Sequence, residues 1–164
     1  MSYRDINLPV CRRINDLLNQ MTLDEKLAQI YSYWMFDLLD RDHQLALDKI
    51  KCLLSNGIGQ ITRAGGASAF DPLSSAKAVN RIQLYLTTET RLGIPAIVHE
   101  EGCCGYMALG ATVFPQMLGL ASTFRPELAQ QMAGVIRTQM RRVGAHHSLS
   151  PVLDVGRDAR WGRV

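Results

Sequence analysis

Apolar residues recur at helical spacing through the first third of the chain, and the period then changes. Val10, Ile14, Leu17, Leu18 and Met21 predict a helix over 9–20 that Pro9 opens. Thr22 and Glu25 form a T-x-x-E capping box for a second helix, with Leu23, Leu27, Ile30, Tyr31 and Trp34 along one face. Leu45, Leu47, Ile50, Leu53 and Leu54 predict a third over 44–55, ended by Asn56-Gly57. Ile58-Gly-Gln-Ile-Thr62 is short, β-branched and bounded by glycine, which predicts a strand. A glycine-rich loop from Arg63 leads to a helix over 72–90, with Ala76, Val79, Ile82, Leu84 and Leu86 available for burial. Pro95-Ala-Ile-Val98 predicts the next strand, ending in His99-Glu-Glu-Gly102. A long loop with Gly102, Gly105 and Gly110 runs to Thr112-Val-Phe-Pro-Gln116. Pro126 opens a further helix carrying Leu128, Met132, Val135, Ile136 and Met140, and 149–155 predicts a third strand.

Helices followed by β-α-β-α-β predict an α/β protein with a parallel sheet of about three strands. In such sheets the ligand site lies off the carboxyl ends of the strands. Those ends carry Arg63, then His99, Glu100 and Glu101, then Arg157 and Asp158. Facing carboxylates and guanidinium groups suit a sugar, whose neighbouring hydroxyls can donate to one and accept from the other. Each residue also has a structural reading. Either glutamate can be a solvated loop charge. Arg157, Arg160 and Arg163 can form ion pairs with Asp154 or Asp158, and Trp161 can stack on a sugar or fill a core. His146 and His147 precede the third predicted strand, at the end that serves stability.

Composition narrows the class. Of 164 residues 47% are hydrophobic and 20% charged, which is ordinary for a globular protein. The net charge is +3, and the 18 Lys and Arg are spread along the chain, against a nucleic-acid partner. No apolar run approaches a membrane span, and the N-terminus lacks the apolar core of a signal peptide, so a cytoplasmic protein is expected. Cys11, Cys52, Cys103 and Cys104 contain no C-x-x-C pair, which is expected of reduced thiols rather than of a metal site. Gly102-Cys-Cys-Gly105 has neither phosphate-loop nor dinucleotide spacing, and no metal or cofactor is expected. A thiol enzyme using Cys103 or Cys104 would need a paired histidine.

Ser150-Pro-Val-Leu-Asp-Val-Gly-Arg-Asp-Ala-Arg-Trp-Gly-Arg163 resembles the A-P-V-L-D-V-x-R-D-P-R-W-G-R segment of family 3 glycoside hydrolases. Four further blocks are similar to the family's in the same order: 21–29, 57–61, 94–102 with Gly105-Tyr106, and 112–116 with 119–124. The resemblance implies an incomplete (β/α)8 barrel, with residues 1–164 the N-terminal part of a single, truncated barrel domain. It implies retaining hydrolysis of terminal β-D-glucosides or β-D-xylosides, with a carbohydrate substrate and no cofactor. Glu101 and Arg157 fall where the family holds the sugar; Arg63, Asp158, Trp161 and Arg163 are secondary candidates. The family's nucleophile is an Asp that commonly follows Ser, and no Ser-Asp dipeptide occurs here; its acid/base usually lies beyond the first domain. No catalytic residue is therefore assigned, and the 164 residues alone are expected to be inactive, and to self-associate or need the rest of the barrel. The alternative is a small α/β domain that binds sugars without cleaving them.

Overall fold

The computed structural model describes residues 2–161. The helices are α1 (Val10–Gln20), α2 (Leu23–Gln29), α3 (Leu47–Leu53), α4 (Pro72–Thr88), α5 (Met117–Ala121) and α6 (Pro126–Arg142). The strands are β1 (Ser32–Trp34), β2 (Gln60–Thr62), β3 (Ile97–Glu100) and β4 (His147–Ser148). They form one all-parallel sheet in the order β1-β2-β3-β4, with α4 crossing from β2 to β3 and α6 from β3 to β4. The α/β class with a parallel sheet is as the sequence implies; the sheet is not closed.

Two differences from the sequence reading concern the sheet, and α5 is a short helix that the reading did not assign. The second helix ends at Gln29, and Ser32–Trp34 is a strand, so four strands are described instead of three. Tyr31 O accepts from Gln60 N at 3.2 Å, and β1 then pairs with β2 from Ser32 to Trp34. The pairing with β2 outweighs the helical spacing of Ile30, Tyr31 and Trp34. The last strand is His147–Ser148, so His147 lies in it, and 149–155 is irregular, with Leu153 and Val155 exposed. Leu149 N still donates to Glu100 O at 2.8 Å, but β3 ends there and Pro151 has no N–H to offer a ladder.

Local chemistry fixes the crossovers. The side chain of Asp71 caps α4 by accepting from Leu73 N and Ser74 N, and Pro72 sits in its first turn. Val79, Ile82 and Leu86 of α4 share the core with Ile61 of β2, Val98 of β3 and Ile136 of α6. Side chains alternate across a strand. One face of the sheet, carrying Ile61 and Val98, is therefore packed under helices. The other carries Gln60 and Thr62 on β2, Ile97 and His99 on β3 and His147 on β4; Ile97 is 48% exposed.

The capping box at α2 is present in full: Thr22 Oγ1 accepts from Glu25 N, and Glu25 Oε2 accepts from Thr22 N. Glu25 is buried and also paired with Arg91, whose Nε and Nη2 donate to its two oxygens at 2.9 and 2.5 Å. The Arg91 bonds hold the Glu25 carboxyl below its usual 4.5, against the opposing effect of burial. A depressed carboxylate stabilises the fold fully above its unfolded pKa, and this stabilisation is lost as pH falls through the lower folded value. Arg91→Ala is expected to cost about 1–2 kcal/mol at pH 7, the guanidinium being half exposed. Urea midpoints of both proteins at pH 7 and pH 3 check this: the gap should narrow at pH 3, and an equal gap at both would show that the pair is not its source.

Candidate sugar site at the carboxyl ends of the strands

Glu100 and Glu101 are adjacent in sequence and face opposite ways. Glu100 follows the parity of Val98 and is fully buried on the helix side. Its Oε1 accepts from Gly65 N at 2.6 Å and from the Tyr106 hydroxyl at 3.3 Å, and its Oε2 from Gly66 N at 3.4 Å. Burial raises its pKa; the two backbone amides, the Tyr106 hydroxyl and the Arg63 charge offset part of that rise. Glu101 follows the parity of Ile97 and His99, is partly exposed, and its charge acts on His99. The backbone at Glu101 is fixed by Met107 N, which donates to Glu101 O at 3.1 Å.

Beside Glu101 the open face carries a short polar row. Thr62 Oγ1 bonds Ser32 Oγ on one side and His99 Nε2, at 2.9 Å, on the other. His99 stands in register with His147, their rings 6.3 Å apart. Burial, followed by the nearby His147, holds His99 below its usual 6.5, against the pull of Glu101. The imidazole is thus kept neutral at pH 7, able to donate and accept hydrogen bonds under the rim.

Arg63 closes the rim over β2. It adopts a left-handed backbone, φ 51°, its N donates to His99 O at 2.8 Å, and its O accepts from Ala67 N at 2.8 Å. Its guanidinium lies over Gly66, where a Cβ would come within 3.0 Å of Nε and Nη2. Arg63 Nε is buried and has no hydrogen-bond partner among the described residues.

The other sequence candidates lie past β4. Arg157 is exposed in the irregular segment. Asp158 is exposed and paired with Arg160 at 2.5 Å, which lowers its pKa. Trp161 is 38% exposed and its N donates to Asp158 O. Arg163 lies outside the described residues. The structure therefore gathers Glu101, Arg63 and His99 at the ends of β2 and β3, with Arg157 on the segment that leaves the same end of β4. The roles of Thr62, Ser32 and the Glu100 anchor are not legible in sequence; only strand parity, counted in twos from Ile97, separates the two glutamates.

A cavity of about 410 Å³ beside α6 and β4 is lined mainly by apolar side chains, among them Met117, Met132, Ile136 and Met140, and by no carboxylate. Its polar lining is limited to Arg137, Arg141, His146, His147, Ser148 and Ser150, without the carboxylate that binds a pair of sugar hydroxyls most strongly. Among the described residues no group of three His, Cys, Asp or Glu side chains is placed to hold a metal ion, and no helix is long and apolar enough to cross a membrane.

Residues 22–164 match the model of the glycosyl hydrolase family 3 N-terminal domain, so the chain belongs to glycoside hydrolase family 3. It is 33% identical over 165 residues to a putative β-xylosidase of Formosa agariphila, covering 99% of this chain and 22% of the relative. It is 30% identical over 173 residues to a probable β-glucosidase C of Aspergillus oryzae, covering 99% and 27%. Among solved structures it resembles a β-glucosidase from Erythrobacter marinus, with TM-score 0.79, 34% identity, and 98% and 21% of the two chains covered. It shares the fold of an exo-1,3/1,4-β-glucanase from Pseudoalteromonas, with TM-score 0.75, 24% identity, and 93% and 24% covered. The chain spans about a quarter of the length of the curated relatives it matches. The four-stranded sheet is thus part of the (β/α)8 architecture of this family.

Proposed function

We propose that this chain is the sugar-holding portion of a retaining β-glycosidase that acts on terminal β-D-glucosides or β-D-xylosides. The observation that carries the reading is the position of Glu101 just past the end of β3, where its charge acts on neutral His99, with Arg63 at the end of the neighbouring β2. A carboxylate there accepts from two vicinal hydroxyls of a pyranose, and the guanidinium groups of Arg63 and Arg157 donate to its oxygens. Retaining hydrolysis needs two further carboxyl groups, one to attack the anomeric carbon and one to protonate the leaving oxygen. Neither role is assigned to a residue of this chain, which has no Ser-Asp dipeptide.

The 164 residues by themselves are therefore expected to give no turnover of a chromogenic β-glucoside or β-xyloside. The full-length protein should release the sugar first as the β-anomer, observed by NMR during hydrolysis. Turnover above buffer by the 164 residues would overturn the division of labour. First release of the α-anomer would overturn the retaining mechanism.

A further inference from the structure

We propose that Glu100 is a positioning residue for the sugar site: its buried carboxylate locks the loop from Arg63 to Gly66 onto the end of β3 and so sets Glu101 and Arg63 at the rim. This rests on the reading of Glu101 as a sugar ligand. Three separate stretches converge on the one carboxylate: the Gly65-Gly66 amides after β2, β3 itself, and Tyr106 from the loop beyond. Position 65 leaves no room for a side chain, since a Cβ there would lie 2.1 Å from the Tyr106 hydroxyl and 3.2 Å from Ser75 Oγ.

Burying a carboxylate is unfavourable unless donors surround it, and an apolar side chain of similar size commonly serves stability as well or better. A geometric role explains the glutamate where stability does not. The loop's entry is tied to β3 through Arg63 N and His99 O, and its middle through the Glu100 carboxylate, so Arg63 is held at two points either side of its left-handed turn. On the far side, the Met107 N to Glu101 O bond closes the turn that also carries Tyr106. The Tyr106–Glu100 bond and the backbone setting of Glu101 are therefore parts of one turn. The Glu100 carboxylate touches no sugar; it acts through the two residues that do.

The test is a double-mutant cycle in the full-length protein, reading kcat/KM on a chromogenic β-glucoside or β-xyloside. Glu100→Gln keeps the size of the side chain but presents an NH2 where an acceptor is needed, and should lower kcat/KM by about 10-fold, mainly through KM. Placed on top of Glu101→Ala, its effect should shrink to the part exerted through Arg63, because one of the two residues it positions is gone. Full additivity in the cycle would overturn the proposal, as would an effect on melting temperature with none on KM. If Glu101→Ala alone leaves kcat/KM unchanged, the sugar-ligand reading fails, and the proposal with it. Should Glu100→Gln not fold, Tyr106→Phe removes one donor to the same carboxylate. It is expected to lower kcat/KM about 3-fold, again with less than full addition to Glu101→Ala, and full additivity there would be equally decisive against the proposal.

Discussion

Glu101→Ala is expected to reduce kcat/KM of the full-length protein on its β-glycoside by about 100-fold, while its melting temperature moves by no more than about 2 °C. A charge-assisted, two-hydroxyl contact carries about 1.5–3 kcal/mol, and each 1.4 kcal/mol is tenfold in rate. Stability is spared because the Glu101 side chain is partly exposed at the end of β3, and the hydrogen bond that Glu101 does make to the fold, from Met107 N, uses its backbone carbonyl. Arg157→Ala should act in the same direction, since its side chain is exposed and free to meet a ligand. Steady-state kinetics and a thermal melt of the same preparation check both. Equal proportional loss of activity and melting temperature would assign these side chains to the fold.

The reverse pattern is expected at Gly59. Gly59 N donates to Ala28 O at 2.9 Å, and its carbonyl accepts from Ile97 N at 2.9 Å, so it joins the end of α2 to the start of the β2–β3 pair. A Cβ there would sit 1.9 Å from Gln29 O and 2.6 Å from Gln29 C, both backbone atoms that cannot swing away. Gly59→Ala must therefore push α2 off the sheet, at a cost of about 3–5 kcal/mol or a failure to fold. Gly134, inside α6 with nothing within 4 Å of its virtual Cβ, is the control: Gly134→Ala should gain about 0.5–1 kcal/mol. Denaturant midpoints of the two variants decide. A Gly59→Ala protein within about 1 kcal/mol of wild type would show that α2 is not seated on β2 as described.

What the sequence made legible follows from how local each signal is. The T-x-x-E box, the Pro72 and Pro126 helix starts and the positive φ of Gly57 all depend on neighbours within four residues, and all are where the pattern placed them. β1 was hidden because Ile30, Tyr31 and Trp34 continue a helical spacing, and a three-residue strand is too short for a period to tell apart. The alternation in Val152, Leu153 and Val155 reads as a strand, but a ladder needs a partner and an N–H at each step, and Pro151 lacks one. The site shows the same division. A pair of glutamates at a strand end was visible as chemistry. Which of them turns to the open face depended on where β3 begins and on α4 covering its other side, which are long-range facts. The Glu100 anchor joins Gly65 and Gly66, 35 and 34 positions before it, to Tyr106, 6 positions after it, with no sequence spacing to announce it.

The most direct measurement is a crystal structure of the full-length protein with glucose or xylose bound. The Glu101 carboxylate should lie within hydrogen-bond distance of two ring hydroxyls, with Arg63 or Arg157 donating to the same sugar and Glu100 still enclosed by Gly65, Gly66 and Tyr106. A sugar seated elsewhere, in the apolar cavity beside α6 or with Glu101 turned to solvent, would contradict the sugar-holding role from which the other predictions descend.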